Sequence, residues 1–168
     1  MSMSETLLPE FDKEFANTRK ILALVPDDRS AWKPHAKSME MGRLASHLAD
    51  LAGRARGVLT TSVRTVTPED MAKRKDAWVG KTREMILSQF DADVEAAREA
   101  LAATGDLAWG EPWKLVFMGR EVFNGPRAMA YRHIVMSHMI HHRAQLGLYL
   151  RLNDIALPGM YGPSADES

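Results

Sequence analysis

The chain contains no cysteine. That excludes disulfides, thiolate metal sites and cysteine nucleophiles together, and it suits a reducing cytoplasm. Long apolar runs are missing too. The longest, Ile21–Val25, has five residues, against about 20 needed to cross a bilayer, so no membrane partner is expected. Met1-Ser2-Met3-Ser4-Glu5 opens the chain without a basic stretch and apolar core, and no secretory signal is expected. Nor is one sign of charge in surplus: 22 Lys and Arg balance 22 Asp and Glu. This argues against binding nucleic acid by bulk electrostatics. No nucleophile elbow, phosphate-cradling glycine loop or pair of catalytic carboxylates is visible, which sets aside serine hydrolase, nucleotide-binding and glycosidase chemistry. Internal repeats and low-complexity segments are absent as well. What remains is ordinary globular composition, 45% apolar and 26% charged over 168 residues, enough for one packed domain spanning 1–168.

Proline organises this domain. The eight prolines leave free windows at 10–25, 35–67, 69–111 and 127–157, and proline is excluded from helix interiors. Leu7, Leu8, Phe11, Phe15, Ile21, Leu22 and Val25 recur at helical spacing and predict a first helix over 4–25. Ser38 is a good N-cap for a second, with Met41, Leu44, Leu48, Leu51, Ala55, Val58 and Leu59 on its apolar side and Gly53 and Gly57 allowing close approach of a neighbour. A third is expected over 75–103, carrying Trp78, Met85, Ile86, Phe90, Val94, Ala97 and Leu101, with Gly105 as its C-terminal cap. Trp109-Gly110-Glu111-Pro112 reads as a turn and 113–123 as a hairpin or extended excursion. Trp109 and Trp113 are candidates for the rim of a pocket. The fourth helix begins near Pro126 and runs to about Leu152, before an irregular tail. The expected fold is all-α, a four-helix bundle with a long crossover connection and a short excursion before the last helix.

Four of the six histidines, His133, His138, His141 and His142, fall in that last helix; His35 lies in a loop and His47 in the second helix. With Ile134 as zero on a wheel of about 100° per residue, the stripe of Tyr131, Val135, Leu146 and Tyr149 also holds His138 at about 40° and His142 at about 80°. His141 lies on its margin and His133 points away. Two imidazoles four residues apart can reach one ion about 2.0–2.1 Å from each nitrogen. A third ligand has to come from another helix. His47 is the candidate; it sits at the edge of its apolar stripe, which suits a ligand lining an open cavity and equally a surface residue. Three imidazoles without thiolate suit zinc, nickel, iron, cobalt or manganese and leave at least one position open for chemistry. His141 is a support for a ligand, an alternative ligand or an exposed side chain. Gln145, Tyr131 and Tyr149 share the stripe, either to orient ligands and substrate or to fill the core. Met129, Met136, Ile140, Ala144 and Gly147 line the opposite face, so the helix is apolar on two sides and a homodimer is expected.

The run Arg127…His138-Met-Ile-His-His142-Arg143-Ala-Gln145-Leu146-Gly-Leu-Tyr149-Leu150-Arg151, followed by Leu157-Pro158-Gly159-Met160-Tyr161-Gly162-Pro163, resembles the DinB-like (YfiT-like metalloenzyme) superfamily. So does Trp32-Lys33-Pro34…Lys37-Ser38-Met39…Gly42-Arg-Leu44…His47-Leu48-Ala49, and the resemblance covers essentially the whole chain. It implies a divalent metal, nickel or zinc, held by His47, His138 and His142, and again a homodimer. Members with an assigned activity resemble S-transferases that use bacillithiol or mycothiol; others are called metal-dependent hydrolases. The leading expectation is therefore transfer of a low-molecular-weight thiol to an electrophilic small molecule. The alternatives are a metal-dependent hydrolase and a non-enzymatic metal- or ligand-binding bundle. A hydrolase would want a carboxylate base of the H-E-x-x-H kind, but Met139, Ile140 and His141 separate the paired histidines, leaving Glu40 or Asp50 to substitute.

Overall fold

The computed structural model describes residues 1–77 and 80–167, with 75–77 as backbone only. Trp78 of the expected third helix lies outside the described residues. Helix α1 (Met3–Leu22) opens on a reciprocal cap: the Ser2 hydroxyl accepts from the Glu5 N–H at 3.1 Å, and the Glu5 carboxylate accepts from the Ser2 N–H at 2.6 Å. Pro9 lies inside this helix, as the expected span of 4–25 requires, and the helix ends at Leu22, three residues early. Phe11 and Phe15 stack at 4.1 Å between ring centroids, and Phe15 reaches Phe90 at 6.1 Å, pinning α1 to the helix that carries Phe90.

Helix α2 (Met41–Thr60) starts later than Ser38 suggests. Its first two N–H groups, Met41 and Gly42, are taken by the carbonyls of Trp32 and Ser30, so the loop folds back onto the helix and Glu40 occupies the cap position without a side-chain bond. Gly53 does permit close approach: a Cβ there would stand 3.2 Å from the Asp93 carboxylate. Gly57 has nothing within 4 Å of the same point.

The expected third helix is two. Thr67 and Asp70 cap each other at the start of α3 (Pro68–Ala77). Gly80 then turns the chain with φ +74°, a region costly for other residues. Thr82 caps α4 (Arg83–Ala103), accepting from the Met85 N–H at 3.3 Å. Gly105 is not a left-handed C-cap but, at φ −73°, the N-cap of the one-turn helix α5 (Asp106–Gly110) that replaces the expected turn. Trp109, 2% exposed, donates from its indole to Ser4, and Trp113 is 1% exposed; both belong to the core rather than a rim.

The all-α expectation fails at three strands. β2 (Pro112–Phe117) and β3 (Arg120–Pro126) form the anticipated hairpin, turning through Met118 (φ 52°) and Gly119 (φ 76°) as a two-residue hairpin loop favours. β1 (Val63–Val66) pairs parallel to β2, giving the order β1-β2-β3 in a mixed sheet. Val63, Thr65 and Val66 are β-branched, but a run of four is too short to place a strand without its partner. The protein is mostly helical with this small sheet. Helices α1 and α2 each pack against both α4 and the closing helix.

That closing helix is continuous but not uniform: α6 (Arg127–Ala130), a π-helical stretch over Tyr131–Met136, then α7 (Ser137–Arg151). The buried Arg127 anchors its start, donating to the carbonyls of Val58, Thr61 and Ala108 and pairing with Glu111 at 3.2 Å. Among the described residues no helix is long and apolar enough to cross a membrane.

Candidate metal centre

His47 projects from the second turn of α2, where Leu44, Leu48 and Leu51 bury the helix against α7 and carry the imidazole to the edge of the core. His138 and His142 stand one turn apart on α7, above Met139 and Leu146, which are fully buried. The three rings meet. One nitrogen from each lies within 4.8 Å of the other two, and ring centroids are 5.2 Å (His47–His138), 4.6 Å (His47–His142) and 4.7 Å (His138–His142) apart. The Nε2 atoms of His47 and His138 are 3.3 Å apart. Two nitrogens bound tetrahedrally at about 2.0–2.1 Å from zinc stand roughly 3.3–3.4 Å from each other, so this pair already has the spacing of a shared ion. The cluster could hold a metal ion. No carboxylate joins it among the described residues.

Neighbours orient the rings. Gln145 Oε1 is 2.7 Å from His142 Nδ1, which makes that nitrogen the donor and leaves Nε2 with its lone pair free. Arg54 Nη2 is 3.3 Å from His47 Nδ1. A guanidinium only donates, so the hydrogen-bond pattern assigns the His47 proton to Nε2, facing His138. Were Nε2 to hold a cation, the ring proton would sit on Nδ1 and meet the Arg54 guanidinium as donor against donor.

Burial, then the Arg54 charge and the other two imidazoles, push His47 down to about 3; burial followed by His142 and Arg54 brings His138 to about 4; burial also lowers His142, against the stabilising contact with Gln145. All three rings are therefore neutral at pH 7, the form that ligates. The same shifts fix a stability slope. Above the unfolded value of 6.5 neither state is protonated and the rings contribute nothing. As pH falls below 6.5 the unfolded chain takes up protons that the folded chain refuses until about 4 and 3, so stability drops across that window. Metal-free protein is expected to lose on the order of 2 kcal/mol between pH 7 and pH 5 in urea unfolding, after allowance for the rings' partial exposure. A His47→Gln, His138→Gln variant should show most of that slope gone. An equal slope in both proteins refutes the assignment.

Of the other expected site residues, Gln145 contacts His142 as described, and the exposed His141 stands edge-on to His142 with centroids 5.0 Å apart. The two tyrosines make ring contacts with tryptophans. Tyr131 lies in the π-helical stretch, where the wheel's 100° step does not hold. Its ring is buried edge-on to Trp109 at 5.6 Å, with the hydroxyl lacking a partner among the described residues. Tyr149 packs edge-on to Trp32 at 5.5 Å. His35 accepts from the Lys37 N–H in its loop, and the exposed His133 lies by Phe123, both away from the cluster. Arg54 was not anticipated. The available signal was its position seven residues after His47, on the same face of α2.

A model of the DinB family matches residues 1–168. The chain is 23% identical over 163 residues to YrdA of Bacillus subtilis (strain 168), a protein described as uncharacterized, covering 95% of this chain and 89% of the relative. Its fold is similar to that of a DinB-like protein from Bacillus cereus ATCC 10987, with a TM-score of 0.68, 20% identity and coverage of 94% of this chain and 97% of the other. It is also similar to the DinB-like protein YjoA of Bacillus subtilis, with a TM-score of 0.67, 17% identity and coverage of 92% and 96%. A mostly helical chain whose α2 and α7 bring three histidines together, matched from its first residue to its last, belongs to the DinB family.

Proposed function

We propose that His47, His138 and His142 hold one divalent transition ion, nickel or zinc, and that the protein is a metal-dependent enzyme transferring a low-molecular-weight thiol to an electrophile. The observation behind this reading is three neutral imidazoles converging from two helices in a chain without cysteine, which leaves the sulfur nucleophile to a cosubstrate. When bound, the cation offers an open position at which a thiol loses its proton more readily and its anion is stabilised. The chain's own part is to keep the rings uncharged, through burial and Arg54, and to fix the His142 ring through Gln145. A free thiol persists in a reducing compartment, so the reading places the protein in the cytoplasm.

The hydrolase alternative has less support. Glu40 occupies the cap of α2 and lies 3.9 Å from Lys33, and Asp50 lines a cavity beside Arg54 instead of joining the histidines. Protein loaded with nickel or zinc is expected to turn over at least one pairing from a panel of bacillithiol, mycothiol and glutathione with epoxides, halides and activated acyl compounds. Tight metal binding with no turnover across the panel removes the enzyme and leaves a binding protein.

The homodimer is proposed on narrower ground than the wheel offered. Met136 and Gly147 are covered within the chain, whereas Met129 and Leu148 are 44% and 59% exposed. Light scattering should return about twice 18.8 kDa; a species of 18.8 kDa alone at micromolar concentration excludes the dimer.

A further inference from the structure

We propose that a cavity of about 370 Å³ next to the histidine cluster is an oxyanion subsite, taking a carboxylate or phosphate group carried by the substrate. This deepens the reading above and rests on it for the chemistry next door.

The cavity lies between α2, β1, α3 and α4. Four cationic side chains, Arg54, Arg64, Arg74 and Lys81, face two carboxylates, Asp50 and Asp93. Asp93 is already committed in part, accepting from Gln89 at 3.0 Å. Six arginines elsewhere, Arg19, Arg98, Arg127, Arg132, Arg143 and Arg151, each meet a carboxylate. None of Arg54, Arg64 and Arg74 forms an ion pair among the described residues, although two carboxylates line the same cavity. The Nε of Arg54 is buried and has no hydrogen-bond partner among those residues. Burial and the Arg74 charge lower Arg64, against the pull of Asp50 and Asp70.

A guanidinium presents a planar fork of donors that matches carboxylate and phosphate oxygens. A buried donor left unmatched, as Arg54 Nε is, costs stability that a bound oxyanion would restore. The volume stands at the low end of the range for small-molecule sites. Placement gives the site its purpose. Arg54 reaches His47 Nδ1 at 3.3 Å with one nitrogen and lines the cavity with the same guanidinium. An oxyanion held here therefore sits beside the histidine cluster, and the molecule bearing it is acidic.

Titration calorimetry of the purified full chain at low salt, with inorganic phosphate and separately with succinate, tests this. Saturable binding of one anion per chain is expected. Arg64→Gln on β1 and Arg74→Gln on α3 should each weaken it about tenfold or more while leaving metal content unchanged. Tighter phosphate points to a phosphorylated substrate, tighter succinate to a carboxylate. Failure of both anions to saturate the wild-type protein overturns the proposal, as does undiminished affinity in both variants; a variant that does not fold leaves the decision to the other and to the wild type. A His138→Ala, His142→Ala protein keeps the anion site even if it loses metal, so the two readings fail separately.

Discussion

Replacing His138 and His142 together with alanine is expected to reduce metal content from about one equivalent per chain to background in protein purified without added metal. The two residues supply two of the three converging nitrogens, and His47 alone on α2 offers a single neutral donor, too few to compete with water for a transition ion. Thermal unfolding gives a second readout. A ligand that binds only the folded state at a thousand times its dissociation constant stabilises by about 4 kcal/mol, so added nickel or zinc should raise the wild-type melting temperature sharply and leave the double variant where it was. His141→Ala should behave like wild type, because His141 is exposed and reaches the cluster only through the edge of His142. Equal metal content in wild type and double variant would remove the centre altogether.

Arg143→Met is expected to cost about 3–5 kcal/mol in urea unfolding, the usual loss when one partner of a buried pair is removed. Arg143 and Glu14 have side chains only 4% and 8% exposed and lie 2.6 Å apart. The guanidinium also donates to the Glu14 carbonyl at 2.9 Å, to the Thr18 hydroxyl and to the Tyr161 hydroxyl, and Tyr161 in turn donates to the Glu14 carboxylate at 2.8 Å. Taking the arginine away strands a carboxylate between α1 and α7 and loosens the tail that Tyr161 anchors. Adding Glu14→Leu to the variant should recover most of the loss, since removing both charges leaves neither unpaired. A single-variant loss below about 1 kcal/mol, or no recovery in the double, contradicts this account.

Much of this was legible in the chain because helical signals are local. The spacing of Phe11, Phe15, Leu44, Leu48 and Leu51 and the pairing of His138 with His142 each lie within a few turns, where periodicity is decisive. The hairpin was legible for the same reason. What escaped depended on partners far along the chain or on local departures from ideal geometry. β1 is four residues whose pattern comes from pairing with β2. The Thr67-Pro68-Glu69-Asp70 cap of α3 was a readable start signal that the long apolar spacing of 75–103 concealed. The π-helical stretch broke the angular bookkeeping at Tyr131, while His138 and His142, both within α7, kept their relation. Arg54, Arg64 and Arg74 come from three separate elements, and no spacing rule gathers them.

The parallel partnership of β1 with β2 also bears on the order of assembly. Joining Val63 to Lys114 closes a span of about fifty residues. The chain entropy lost rises with the logarithm of that span, and such distant contacts are slow to form. The hairpin, whose contacts are local, can be in place before this edge docks. Arg64 travels with that edge. One wall of the cationic cavity is thus tied to the fold by a shorter span than the 91 positions that separate His47 from His138, so the same entropy argument lets the wall form before the histidines meet.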